Sequence, residues 1–188
     1  TDAIVLAKTE MIRAISVPRS YRSTCSAYSK FLPSFSETNT YFINEPHALD
    51  VISLSGDNIN TLLSGSQINP ITSLELFDKN GLFMAEALGT ANEHGNDSWA
   101  YNQRGIDVET YDEYGYNNAY KHQFFTDANM NDVSSRNEFQ HVILKAAASD
   151  NYSSSNNIGK PSCHMRDAFV QSYAFQKGFE LDGRRNKH

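Results

Sequence analysis

The chain has 188 residues, with 22 acidic against 16 basic side chains and a net charge of −6. That length suits a single domain, residues 1–188, whose core needs no metal or disulfide staple. The scattered basic residues exclude the positive stripe that a nucleic-acid partner requires, and no apolar run approaches the ~20 residues that span a bilayer. The basic end, Arg184-Arg185-Asn186-Lys187-His188, reads as a frayed tail. A start at Thr1 rather than Met points to a removed leader or anchor, or to an excised domain.

Asp2 can cap a helix running to about Ser16, with Ile4, Met11, Ile12 and Ile15 as its apolar stripe. Pro18 stops or kinks it, and a helix can resume from Tyr21 to Phe31. Thr40 to Ile43 reads as a short strand. Asn44-Glu45-Pro46 opens a second helix, with Leu49, Val51, Ile52 and Leu54 on its apolar face and Gly56 at its exit. Asp57 caps a short helix that ends at Leu63, before Ser64-Gly65.

The clearest local signal is Ile71 to Leu88. Two apolar runs flank Asp78-Lys79-Asn80-Gly81, and Asn-Gly marks a hairpin because both residues tolerate positive φ. Thr72, Leu74 and Leu76 fall on one face of the first run, with Ser73 and Glu75 on the other. From Gly89 to Tyr120 the periodicity dissolves into glycines and aromatics. A long loop of that kind is either a binding surface or a set of edge strands whose tyrosines cover the sheet. Trp99, Tyr101, Tyr111, Tyr114 and Tyr116 are its candidate ligand-lining residues. Phe139 to Ala148 is predicted as a helix. Ser162 caps a last one, with Phe169, Val170, Tyr173 and Phe175 as apolar positions and Gly178 as its end. The expected fold is α+β: N-terminal helices, a central antiparallel sheet built on hairpin 71–88, and C-terminal helices.

Chemistry-bearing patterns are few. Asp127, Asn129, Asn131, Ser135 and Glu138 place oxygen donors at the first, third, fifth, ninth and twelfth positions of a loop before a predicted helix. Over that dozen residues the loop resembles an EF-hand, which implies calcium; Asp132 replaces the turn glycine, and the plainer reading is a polar cap on the helix. No cofactor other than calcium is suggested. His47, His94, His122, His141, His164 and His188 show no paired-ligand spacing, and neither cysteine sits in a C-x2-C, so spacing argues against structural zinc. No nucleophile elbow, P-loop or dinucleotide fingerprint occurs, and the expectation is a protein that is not an enzyme. Asn96-Asp97-Ser98 and Asn151-Tyr152-Ser153 are glycosylation sequons. In an exported protein Cys25 and Cys163 would either pair or stay as two unpaired, partly buried thiols. Pairing would close a loop of about 140 residues and stabilise by roughly 4–5 kcal/mol on the chain-entropy account.

The hairpin and the helix before it, Ile59 to Leu63 followed by Ser73 to Phe83 with its Asp-x-x-Gly turn, are similar to extracytoplasmic sensor domains of the PAS-like or Cache class. That resemblance, over about 40 residues, implies a membrane-tethered receptor whose sheet cradles a small ligand and signals through its terminal helices. Such a sheet needs two or three further strands, which Gly89 to Asn131 supplies poorly. The expected setting is therefore extracytoplasmic, with a small-molecule ligand, no nucleic acid and membrane contact only through an absent anchor. Two other readings stand beside it: a pilin-like structural subunit, partnered by other surface proteins and trimmed from a stem helix, and a calcium-binding protein using the loop at 127–138.

Overall fold

Alternation of inward apolar and outward polar side chains, rather than helical spacing, governs most of the described chain. A computed structural model describes residues 3–17, 32–96, 99, 102–124, 137–146 and 165–178. The elements run β1 (Glu10–Ala14), β2 (Glu37–Tyr41), β3 (Val51–Ser55), α1 (Ile59–Leu63), β4 (Ile71–Phe77), β5 (Phe83–His94), β6 (Gly105–Thr110), β7 (Tyr120–Lys121), β8 (Glu138–Phe139), β9 (His141–Leu144) and α2 (Arg166–Gln176). Five of the strands form one antiparallel sheet in the order β3-β4-β5-β6-β9. The pairs β1-β2 and β7-β8 make two small ribbons.

The central hairpin forms where the sequence predicts it, and β5 then runs on to His94. Its reversal is built differently. The Gly81 amide donates to the Asp78 carbonyl at 2.9 Å, and Gly81 has φ +79° while Asn80 stays at negative φ. This is a three-residue loop closed by a left-handed glycine, not a two-residue turn with both residues left-handed. The Asp78 carboxylate organises it, accepting the amides of Asn80 and Leu82 at 2.8 Å each. Those bonds, Leu82's foremost, hold the Asp78 carboxyl below its usual range.

The two faces of the sheet are chemically distinct. Leu74 opposes Leu54 and Ala87, and Val108 opposes Ala91 and Val142, so one face is apolar. Ile59 and Leu62 of α1 and the side chains of Trp99 and Tyr120 close that core. Each such buried side chain contributes on the order of 1.5–3 kcal/mol. The opposite face carries Ser53, Ser73, Glu75, Glu86, Asp107 and Glu109. The β1-β2 ribbon lies over part of it. Glu75 accepts the Thr40 amide at 3.1 Å and the Thr40 hydroxyl at 2.6 Å, and that hydroxyl also meets Ser53 Oγ at 2.6 Å. Phe42 stands edge-on against Phe77 with centroids 5.0 Å apart.

Helix content is where the sequence expectation fails: the fold is mostly β, not α+β with terminal helices. The predicted N-terminal helix is the strand β1, preceded by irregular chain. The predicted helix from Asn44 to Gly56 contains β3, where Val51, Ser53 and Ser55 alternate with Ile52 and Leu54. The predicted helix from Phe139 is β8 and β9. In all three, a few apolar residues fit both periodicities, and pairing with a neighbouring strand decided for the extended form. The stretch expected to dissolve supplies β6, which with β9 completes the sheet. The short helix before the hairpin is present, though its cap is Asn58 at φ +66° rather than Asp57. Asp57 instead receives Arg13 at 2.9 Å, tying β1 to that loop. The C-terminal helix also forms, ending at left-handed Gly178. Its Phe169, Val170 and Tyr173 face solvent. The predicted helix at Tyr21–Phe31, the cap Ser162 and both cysteines lie outside the described residues.

Candidate functional site

Strand alternation assigns the site. Because Ile106 and Val108 point into the core, Asp107 and Glu109 must point to the opposite face. The same rule turns His141 outward, since Val142 and Leu144 pack inward. Cross-strand register then sets Asn92 and Ile143 opposite Asp107, and Thr90 and His141 opposite Glu109. His94 closes the row at the end of β5.

Two imidazoles converge on one carboxylate oxygen. His94 Nδ1 is 3.0 Å and His141 Nε2 is 3.7 Å from Asp107 Oδ1. All three residues are partly exposed, yet that oxygen is itself buried and no donor is aligned on it. Three neighbouring strands each contribute one member.

At the other end of β6 the chain leaves through the tyrosine loop. The Tyr111 amide donates to the Leu88 carbonyl at 3.2 Å, fixing the loop to β5. Tyr111 bonds through its hydroxyl to Glu109, which raises its pKa, and to Thr90, which opposes the shift. Tyr114 stands edge-on to Tyr111, centroids 5.8 Å apart. A hydrogen bond to Glu113 raises its pKa. Tyr116 is 72% exposed and meets Phe35 edge-on at 5.0 Å. Tyr111 and Tyr114 thus pair at the end of β6, with their hydroxyls oriented by Glu109 and Glu113.

No family model matches the chain, and neither does any curated protein or solved structure. The site therefore stands on its own geometry.

That geometry divides the five aromatic candidates. Tyr111, Tyr114 and Tyr116 fall in one loop. Trp99 lies in the β5–β6 connection, at the far end of β6, which at ~3.3 Å per residue is nearly 20 Å away. It is buried in the core: its indole donates to the Gly65 carbonyl at 3.2 Å and Arg104 covers its ring at 5.6 Å. Arg104 in turn donates to the carbonyls of Trp99 and Leu63, so this group locks α1 to the sheet. Tyr101 lies outside the described residues, as do Asp127, Asn129, Asn131 and Ser135 of the calcium-loop candidate. Glu138 is described, and it sits in β8 opposite Lys121 rather than at a helix start.

Sequence reasoning missed His94, Asp107 and His141, because 13 and 34 residues separate them along the chain. It also missed Glu86, which register sets directly beside buried Glu75. Burial, then the charges of Glu37 and Glu75, push the Glu86 carboxyl up. The available signal was the alternation in Ile106-Asp107-Val108-Glu109, legible once that segment is read as a strand.

Proposed function

We propose that this chain is a non-enzymatic ligand-binding domain of an exported or membrane-tethered receptor, taking a small polyhydroxylated ligand beside Tyr111, Tyr114 and Tyr116. The observation that carries this reading is the Tyr111 hydroxyl, held by Glu109 and Thr90 and paired with the Tyr114 ring, in the loop that also carries the exposed Tyr116 ring. Flat rings offer stacking surface to an apolar ligand face, while oriented carboxylates and hydroxyls bond its polar rim. Sugars combine both features. The net charge of −6 argues against an anionic ligand. The surface-subunit reading has lost the helix that motivated it, since Glu10–Ala14 is a strand.

The test is calorimetric titration with a panel of neutral mono- and oligosaccharides, repeated on Tyr111→Ala and Tyr116→Ala. Binding by the parent chain that weakens at least tenfold in both variants is expected. Absence of binding across the panel, or binding that both variants retain, defeats the proposal.

A further inference from the structure

We propose that His94, Asp107 and His141 form a binding site for a borderline divalent cation such as Zn2+. The geometry around Asp107 Oδ1 carries the argument. Two imidazole nitrogens lie 3.0 and 3.7 Å from this one oxygen, and neither makes a hydrogen bond to it. Ligand atoms ~2.0–2.2 Å from a tetrahedral ion stand about 3.4 Å from each other, and they do not hydrogen-bond. The two observed separations bracket that value. A buried carboxylate oxygen without a donor is also costly, and an ion between it and the imidazoles removes that cost.

Ligand chemistry selects the ion. Two imidazoles and one carboxylate suit zinc and its transition-metal neighbours, whereas calcium and magnesium take oxygen donors almost exclusively. Three protein ligands leave a fourth position for water or for an oxygen of a bound molecule. Among the described residues no three such side chains stand in a ready-made metal cluster. Binding therefore includes a turn of the half-exposed His141 side chain, whose nitrogen is the more distant of the two. Neighbours on the same face are Asn92 and Ile143, each opposite Asp107, and Glu109, opposite His141. Of these only Glu109 is charged, and a carboxylate favours the cation.

The experiment is thermal unfolding and calorimetry of the full chain with ZnCl2, and with MgCl2 and CaCl2 as controls. Expected is a zinc-dependent rise in Tm, absent with magnesium or calcium, and binding at least tenfold weaker in His94→Ala, His141→Ala and Asp107→Asn. All three substitutions replace partly exposed side chains, so the unfolding curves without metal show whether each variant folds. Should one of them fail to fold, imidazole NMR shifts of His94 and His141 in the parent chain on adding zinc answer the same question. Absence of a zinc effect, imidazole signals unmoved by zinc, or an effect that survives His141→Ala and Asp107→Asn, overturns the assignment.

Discussion

Gly89 is the position at which one methyl group should do most damage. It lies mid-sheet in β5, opposite Thr72 on one side and Thr110 on the other. A Cβ built there would stand 1.8 Å from the Glu109 carbonyl oxygen and 2.7 Å from the Thr110 Cα. Both are backbone atoms of the adjoining strand, so no side-chain rotation relieves the clash. Gly89→Ala must open the β5–β6 spacing by more than an ångström, which strains the ladder on which the proposed sites depend. Overpacking a close contact costs about 1–3 kcal/mol, and the upper end applies here because the obstacle is main chain. For a chain of this size each kcal/mol moves Tm by about 2–4 °C, so a fall of roughly 6–12 °C is expected. Thermal unfolding followed by the fluorescence of the single, buried Trp99 measures the fall in Tm, and urea unfolding the free energy. Gly115→Ala is the control: its Cβ would meet only side-chain atoms of Leu88, at 3.2 Å, and should cost under about 1 kcal/mol. Equal stabilities for Gly89→Ala and the parent chain would refute the close approach of the two strands.

Three further outcomes follow from burial and charge. Leu74→Ala should cost about 2–5 kcal/mol in urea unfolding, since Leu74 is 1% exposed at the centre of the core; a loss below about 1 kcal/mol would contradict that packing. Glu86→Gln should stabilise modestly at pH 7, by under about 1 kcal/mol for so partly exposed a group. Because burial and the neighbouring carboxylates raise the folded-state carboxyl above the ordinary glutamate value, the native chain holds the extra proton and its stability falls as pH rises through that window. The advantage of the variant should therefore shrink as pH falls through the range just above the ordinary glutamate value and be gone below it, and a constant gap would count against the burial of Glu86 beside Glu37 and Glu75. The Tyr120 hydroxyl is buried without a partner, and burial pushes its pKa up. Tyr120→Phe should hold neutral-pH stability to within about 1 kcal/mol. It should also flatten the loss of stability above pH 10, where the folded state would otherwise resist ionisation; an unchanged alkaline slope in urea unfolding speaks against it.

Local chemistry alone determined a few elements. Asp78 through Gly81 reverses the chain because a carboxylate caps two amides and a glycine accepts positive φ, and none of this needs a distant partner. The helices at Ile59–Leu63 and Arg166–Gln176 were legible for a similar reason, being bounded by residues that stop helices. At Glu10–Ala14, Val51–Ser55 and His141–Leu144 the same few apolar residues satisfy either period, and only the neighbouring strand's unpaired amides and carbonyls settle the matter. Non-local pairing likewise created the candidate sites. Register across β5, β6 and β9 sets two histidines against one aspartate, and a tether to Leu88 seats the tyrosine loop beside Glu109. Side-chain identity was written in the chain, but which side chains meet was fixed by hydrogen-bond register between strands far apart in sequence.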